Sequence, residues 1–404
     1  MADDAARADA SAAIEAASSE LRQVSLSIHA NPELGFEERH AHEVLTDLLD
    51  AHGFAVERSA YGVETAFKAV AGNGGPVMAV LCEYDALPGI GHACGHNLIA
   101  ISGIATGLGL QAVLGEGNGT VVVLGTPAEE GGGGKIALAD AGAFEGVDAA
   151  LMLHPAPLAR AGGGEASGLA GPVDGLVRPL MTATQGLAVD FYGRPAHAAA
   201  SPWDGLNALD ALVAGYSAVA MLRQHIRPDQ RIHGIITEGG TATNVVPEHT
   251  QARFGIRGRD RAAVDELRVR VLACFEGAAQ STGCRLEYRW GASGYDDLRT
   301  NGRMADAFVA NAATLGSTFA TAPTNAYAST DMGNVSYLVP SIHPMFGIPA
   351  QFANHHPGFT EAAASEEAHE RTLTAAKALC HTALDLYGDA DLLAAAKQEF
   401  GETV

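Results

Sequence analysis

The sequence predicts an α/β fold: a mixed, largely parallel sheet flanked by helices, interrupted by a small ferredoxin-like α+β domain. Three observations carry this reading. Strand-like runs alternate with helical stretches through the first part of the chain, the pattern of a layered α/β domain. Between residues 185 and 291 the order changes to β-α-β-β-α-β, the split βαβ arrangement. The chain has 404 residues, more than one hydrophobic core usually supports.

In chain order, apolar periodicity predicts a helix over 9–28. The stretch His29-Ala30-Asn31-Pro32-Glu33-Leu34-Gly35-Phe36 breaks it with Asn-Pro and Gly, and His29 reads as structural. A second helix is expected over 37–52. Strands follow at 64–70, 78–81, 120–125 and 149–153, with helices at 98–114 and 135–141. In open α/β sheets sites form beyond the carboxyl ends of strands. Glu83 and Asp85 follow one such run, Glu129 and Glu130 a second, and His154 a third.

After the glycine- and proline-rich segment 162–184, the inserted domain reads as strand 187–192, helix 205–224, strands 231–237 and 250–258, helix 261–280 and strand 285–290. The expected domains are therefore 1–184 with 292–404, and 185–291. The returning chain supplies a helix at 301–315, the stretch 329–339 and a helical region from 363 onward. No internal repeat is present.

Composition narrows the function. The net charge is -22, with 25 Lys+Arg against 47 Asp+Glu, which argues against nucleic acid or an anionic membrane surface and favours a small-molecule partner. Five scattered cysteines imply no disulfide framework, so a reducing, cytoplasmic setting is expected. The alanine-rich, acidic N-terminus lacks the pattern of a secretory leader, and no run of about 18 apolar residues predicts a membrane span.

The chemistry centres on Gly91-His92-Ala93-Cys94-Gly95-His96-Asn97, a turn between a buried-type strand and a small-residue helix. A thiolate and an imidazole two residues apart suit zinc and related transition ions better than magnesium or calcium. In Thr126-Pro127-Ala128-Glu129-Glu130-Gly131, two adjacent carboxylates leave a strand end, where one can bind metal and the other act as general base. The glycines that follow lack the spacing of a phosphate loop. His154-Pro155 ends an apolar run, and Asn354-His355-His356-Pro357-Gly358-Phe359 adds two imidazoles. Together these donors are enough for two metal ions.

The sequence resembles the aminoacylase and carboxypeptidase-G type of two-metal metallopeptidases, nearest the p-aminobenzoyl-glutamate hydrolase and β-alanyl-lysine dipeptidase branch. The matching motifs are Cys82-Glu83-Tyr84-Asp85-Ala86-Leu87-Pro88-Gly89, the turn at 92–97, the stretch 125–130, Gly193-Arg194-Pro195-Ala196-His197-Ala198, Asn244-Val245-Val246-Pro247 and the stretch 329–336. They occur in order across nearly the whole chain. The resemblance implies a zinc-peptidase-like catalytic domain with an inserted domain for dimerisation and for covering the site. It implies Cys94, His96, Glu130, His154 and His355 as ligands of two divalent ions, zinc or manganese and possibly cobalt. His355 is preferred to His356 because the family's last ligand stands four residues before an aromatic, here Phe359. Glu129 would be the general base and acid, and Asp85 would orient a ligand histidine. His197 would steady an oxyanion in the neighbouring subunit of a homodimer. Asn244 would contact substrate, and Arg257 is the candidate grip for a substrate carboxylate. Where many carboxypeptidase relatives carry a further His ligand just upstream of the aspartate, this chain has Leu81-Cys82-Glu83.

The implied activity is hydrolysis of the amide of an N-acyl amino acid or dipeptide-like molecule. Three other readings stay open from sequence: a cysteine hydrolase using Cys94 with His92 or His96, a hydrolytic deaminase of a small aromatic amine, and a non-catalytic, metal-stabilised binding protein.

Overall fold

Four apolar runs from the first part of the chain, a short polar edge strand and one short strand at Ser341–Ile342 pair into a six-stranded sheet. The computed structural model describes residues 4–158, 173–291, 293–325 and 328–403. They fall into two compact units, one of Met1–Leu180, Leu298–Ala326 and Thr330–Val404, the other of Met181–Asp297 and Tyr327–Ser329.

In the first unit the chain runs α1 (Asp4–Ala16), α2 (Ser18–Ala30), α3 (Arg39–Ala51), β1 (Ala55–Arg58), β2 (Phe67–Asn73), β3 (Val77–Cys82), α4 (His96–Val113), β4 (Gly119–Gly125), α5 (Gly134–Asp140), β5 (Ala149–Leu151) and β6 (His154–Pro157). The expected helix over 9–28 is two helices, because Ala17 carries a ψ of -3° that interrupts the α-helical geometry. Helix α3 starts where the Glu33 carboxylate accepts the backbone N–H groups of His40 and Ala41 at 2.9 and 3.0 Å. Those donors lack intrahelical partners, and a negative charge is favoured there. Strand β1 escaped the sequence pattern because Ala55-Val56-Glu57-Arg58 is short, polar and at the sheet edge.

Short strands β7 (Gly175–Leu176) and β8 (Pro179–Leu180) lead out of this unit, and the glycine-rich residues 162–172 lie outside the described residues. The second unit contains β9 (Ala183–Tyr192), α6 (Ala208–Leu222), β10 (Arg231–Glu238), β11 (His249–Gly258), α7 (Arg261–Thr282) and β12 (Arg285–Trp290). Its sheet is antiparallel throughout, in the order β10-β11-β9-β12. Alternate residues of β9 and β11 point onto the two helices, giving a core that includes Phe191, Phe254, Phe275, Leu212 and Val271. Burying each such side chain contributes about 1.5–3 kcal/mol. Helix α6 begins later than its apolar pattern suggests because Asn207 caps it, accepting from the N–H groups of Leu209 and Asp210. Past the expected end at 291, Tyr295 bridges back to Thr184, and the unit runs on to Asp297.

The chain then returns to the first unit through α8 (Gly302–Thr314), β13 (Phe319–Ala320), β14 (Thr324–Asn325), α9 (Met332–Val335), β15 (Ser341–Ile342), β16 (Met345–Ile348), α10 (Pro357–Ala363), α11 (Glu366–Gly388) and α12 (Ala390–Thr403). The main sheet has the order β1-β2-β4-β3-β5-β15. Pairings β4/β3, β3/β5 and β5/β15 are parallel, whereas β1/β2 and β2/β4 are antiparallel, so the sheet is mixed and largely parallel. Helix α4 packs between this sheet and helices α1, α2 and α11. That position explains why it is apolar on every side. Among the described residues it alone is long and apolar enough to cross a membrane, and 83% of it is buried inside the fold.

Glu38, just ahead of α3, ties this scaffold to the loop after β4. It is fully buried, and its carboxylate accepts the Ala128 N–H and the Thr65 hydroxyl, each at 2.8 Å. Burial is the largest influence on it and pushes its pKa from the ordinary 4.5 to about 7. An acid whose folded pKa is raised binds more protons folded than unfolded, so its contribution falls as pH rises from about 4.5 to about 7. The loss is on the order of 3 kcal/mol at neutral pH. Glu38→Gln retains a carbonyl for Ala128 and removes this titration. Denaturant midpoints should therefore show the variant gaining on the parent between pH 4.5 and 7; a constant difference across that window would contradict the assignment.

Candidate metal centre

The strand ends of the first unit place their polar residues together. Asp85, beyond β3, is buried and uses both carboxylate oxygens. Oδ1 lies 2.8 Å from His96 Nδ1, and Oδ2 accepts the backbone N–H of Glu130 at 2.9 Å. One carboxylate thus joins the Cys94–His96 turn to the Glu129-Glu130 loop. Because a carboxylate only accepts, Nδ1 carries the proton and Nε2 points inward. Burial pushes the Asp85 carboxyl up, yet the His96 ring, the Glu130 N–H and Lys135 more than offset this and hold it below its ordinary value.

His154 is oriented the same way by the backbone. Its Nδ1 lies 2.8 Å from the Pro155 carbonyl oxygen, which can only accept, so Nε2 is the free donor atom, 3.5 Å from Cys94 Sγ. Cys94, His96 and His154 offer donor atoms all within 4.8 Å of one another, and so do Cys94, Glu130 and His355. The two groups share Cys94. His355 Nε2 is 3.2 Å from Glu130 Oε1, and Asn354 Nδ2 reaches the carbonyl oxygens of Pro155 (3.2 Å) and Cys94 (3.4 Å), fastening this loop to the turn.

The local backbone is shaped for these positions. Gly95 has φ +79°, and a Cβ there would stand 2.6 Å from the Pro155 ring, so the turn admits only glycine. Ala128 and His355 hold φ values of +58° and +68°, unfavourable for residues with a Cβ. Such strain concentrates at functional sites. The glycines after Glu130 serve packing: a Cβ at Gly134 would lie 1.7 Å from the Pro127 carbonyl oxygen.

Electrostatics mark the centre as a place that draws positive charge. Burial disfavours a charged His96, but Asp85 and the Cys94 sulfur raise its pKa well above the ordinary histidine range. Its Nε2 is buried without a hydrogen-bond partner and faces Glu129 Oε2 at 4.0 Å and Glu130 Oε1 at 3.8 Å. Burial, followed by the Glu130 charge, pushes the Cys94 thiol well up, so its thiolate needs a nearby cation. Burial and the charges of Glu83, Glu130 and Asp331 push the Glu129 carboxyl well above the usual range. The sulfur, nitrogen and oxygen donors and the partnerless Nε2 therefore fit divalent transition ions.

Residues that the motifs did not assign complete the surroundings. Glu83 and Asp331 both hold the Lys135 ammonium, at 2.5 and 2.7 Å, and all three are fully buried. Lysine is rare in this chain, and one standing directly after a Glu-Glu-Gly run was the available signal. His343 is also fully buried, its ring edge-on to His154 with centroids 5.6 Å apart. His29, expected to be structural, bonds through Nε2 to the Thr360 carbonyl oxygen at 2.8 Å.

The other three candidates lie in the second unit. His197 is exposed, and its Nδ1 accepts from the N–H groups of Ala199 and Ala200 at 3.2 and 3.1 Å, which leaves the proton on Nε2 facing outward. His197 bridges with Val245, and Ala198 N–H donates to the Asn244 carbonyl oxygen at 3.0 Å, so His197 and Asn244 share one patch. Arg257, on β11, donates from Nη1 to the Ser329 hydroxyl at 2.7 Å.

Comparison with known proteins agrees with this architecture. The model of peptidase family M20/M25/M40 matches residues 79–381. The chain is 40% identical to the Xaa-Arg dipeptidase of Homo sapiens over 96% of its own length and 90% of that protein's. It is 34% identical to one of the subunits of the p-aminobenzoyl-glutamate hydrolase of Escherichia coli (strain K12), over 69% of this chain and 59% of that one. Its fold superposes with a TM-score of 0.70 on a dinuclear metal binding peptidase of the M20 family from Bacillus subtilis, at 21% identity, covering 93% of this chain and 99% of the other. The protein is a member of peptidase family M20/M25/M40.

Proposed function

We propose that the protein is a metal-dependent amidohydrolase acting on dipeptide-like molecules, with dipeptides bearing a basic carboxyl-terminal residue as the first class to test. The observation that carries the reaction is the convergence of Cys94, His96, Glu130, His154 and His355 around Glu129. The substrate class is supported by the 40% identity to an Xaa-Arg dipeptidase along nearly the whole chain.

Cys94, His96 and His154 would hold one divalent ion, and Cys94, Glu130 and His355 the other, with zinc, manganese and cobalt all compatible with this donor set. When bound, the ions polarise the substrate carbonyl and make water a stronger acid. Glu129 receives the proton as the water oxygen bonds to the carbonyl carbon. It then returns that proton to the leaving nitrogen as the C–N bond breaks. Burial and the neighbouring carboxylates raise its basicity, which favours its taking the proton. His197, with Nε2–H directed outward, is the donor we assign to the tetrahedral oxyanion, and Arg257 and Asn244 are the assigned contacts to the rest of the substrate.

Cys94 is ill suited to the alternative role of nucleophile, which requires a lowered thiol pKa, the reverse of what its surroundings impose. We also propose a homodimer formed through the second unit. Strand β10 is an edge strand exposing Ile235 (64%) and Ile236 (43%), a surface that invites pairing. Five free cysteines suit a reducing, cytoplasmic location.

Glu129→Gln should lower turnover by at least ~100-fold, the scale of general acid–base catalysis, while metal content is retained. Activity surviving within about tenfold would remove Glu129 from that role. His197→Ala should likewise be inactive with metal intact. Mixing the two inactive variants should restore measurable activity if His197 acts across subunits; no recovery in verified mixed dimers would place it elsewhere.

A further inference from the structure

The segment between α2 and α3 takes no part in the chemistry so far, yet it runs along three of the loops that carry the donors. At its start, His29 bonds to the Thr360 carbonyl oxygen, just beyond the loop of His355. Pro32 lies beside the turn that leads to Cys94: a Cβ at Gly91 would stand 3.9 Å from Pro32 Cβ. Gly35 packs on the Glu129-Glu130 loop so closely that a Cβ there would stand 2.9 Å from Ala128 Cβ.

Phe36 continues this contact. A Cβ at Gly132 would meet its Cε2 at 2.6 Å, so the ring lies against the loop just past Glu130. Its backbone holds φ +64°, in the left-handed region that a bulky side chain rarely occupies. The ring is nevertheless not enclosed: Phe36 is 40% exposed, and Leu34 beside it 41%. An exposed apolar side chain alone is ordinary. One held against its backbone preference, beside the loop that bears the general base, is not, because such strain concentrates at binding and catalytic positions. The segment is also fixed on both sides of the ring. The Glu33 carbonyl oxygen accepts the Ala86 N–H at 2.8 Å, and Glu38 accepts the Ala128 N–H at the same distance.

We infer that Phe36, with Leu34 beside it, is the apolar surface that receives the side chain on the acyl half of the substrate and sets specificity there. This rests on the amidohydrolase reading above. In that reading the leaving half carries the basic residue, for whose charge neither side chain offers a counter-charge, so the apolar surface falls to the acyl half. Contact of this kind is alike in the ground and transition states, and it acts on KM rather than on kcat.

The test uses the full-length chain loaded with zinc and dipeptides that end in arginine and begin with glycine, alanine, leucine or phenylalanine. The parent should favour leucine and phenylalanine over glycine at least tenfold in kcat/KM, the scale of a pocket that reads a few methylenes. Phe36→Gly, which suits the backbone there, should reduce that preference to within about threefold through KM. Its metal content, its kcat on the glycyl dipeptide and its thermal midpoint should not fall. A preference that survives in the variant, or equal loss on every dipeptide with a lowered midpoint, overturns the inference; the second result would make Phe36 a brace of the loop. Should Phe36→Gly fail to fold, Phe36→Asn, which also tolerates the left-handed backbone, decides by the same criteria. A parent that cleaves none of the dipeptides defeats the dipeptidase reading and this inference with it, whereas a parent that cleaves all of them alike defeats only this inference.

Discussion

The centre depends on the buried carboxylate of Asp85. With one oxygen on His96 and the other on the Glu130 N–H, it fixes two loops that leave different strands. Without it, the His96 ring would have no set tautomer and the Glu129-Glu130 loop no tether on this side. Glu38 provides a second tether through Ala128, and Asn354 a third between the last loop and the turn. These loops and side chains are therefore held by hydrogen bonds to Asp85, Glu38 and Asn354, which is how rigid metal sites are generally built.

Energetically, the site opposes the trend of the rest of the fold. The scaffold buries apolar side chains such as Phe67, Phe308 and Phe359 in one core, whereas the centre buries Glu83, Asp85, Glu129, Asp331 and only one lysine. Positive backbone angles at Ala128 and His355 add about 1–3 kcal/mol of strain each. Divalent ions bound there would compensate such a concentration of negative charge and so couple metal retention to folding.

Much of this was legible in the sequence, because short-range signals carried it. The Cys94–His96 spacing, the Glu129-Glu130 pair after a β-rich run and His154 at a strand end each mark a candidate donor from a few neighbouring residues, and the structure brings these side chains close together. The β-α-β-β-α-β order was equally readable from the alternation of its strand-like and helical runs, although the Asn207 cap that sets the start of α6 was not. What could not be read depends on distant partners. Lys135 meets Glu83 across 52 positions and Asp331 across 196, and no local pattern announces such a triad. Ala17 divides α1 from α2 without a helix-breaking residue, and β1 is too short and polar to show a period. The roles of His197, Asn244 and Arg257 came from resemblance to a family, since none stands in a local pattern that declares its chemistry.

The most direct test of the account measures free amine released from dipeptides with basic carboxyl-terminal residues, N-acyl amino acids and p-aminobenzoyl-glutamate. Each is assayed before metal removal, after it, and after a divalent ion is returned. The account predicts that at least one of these amides is cleaved, that cleavage stops with metal removal, and that it resumes with the ion. Cleavage that persists in metal-free protein, or no cleavage of any of them by protein carrying two ions, would contradict it.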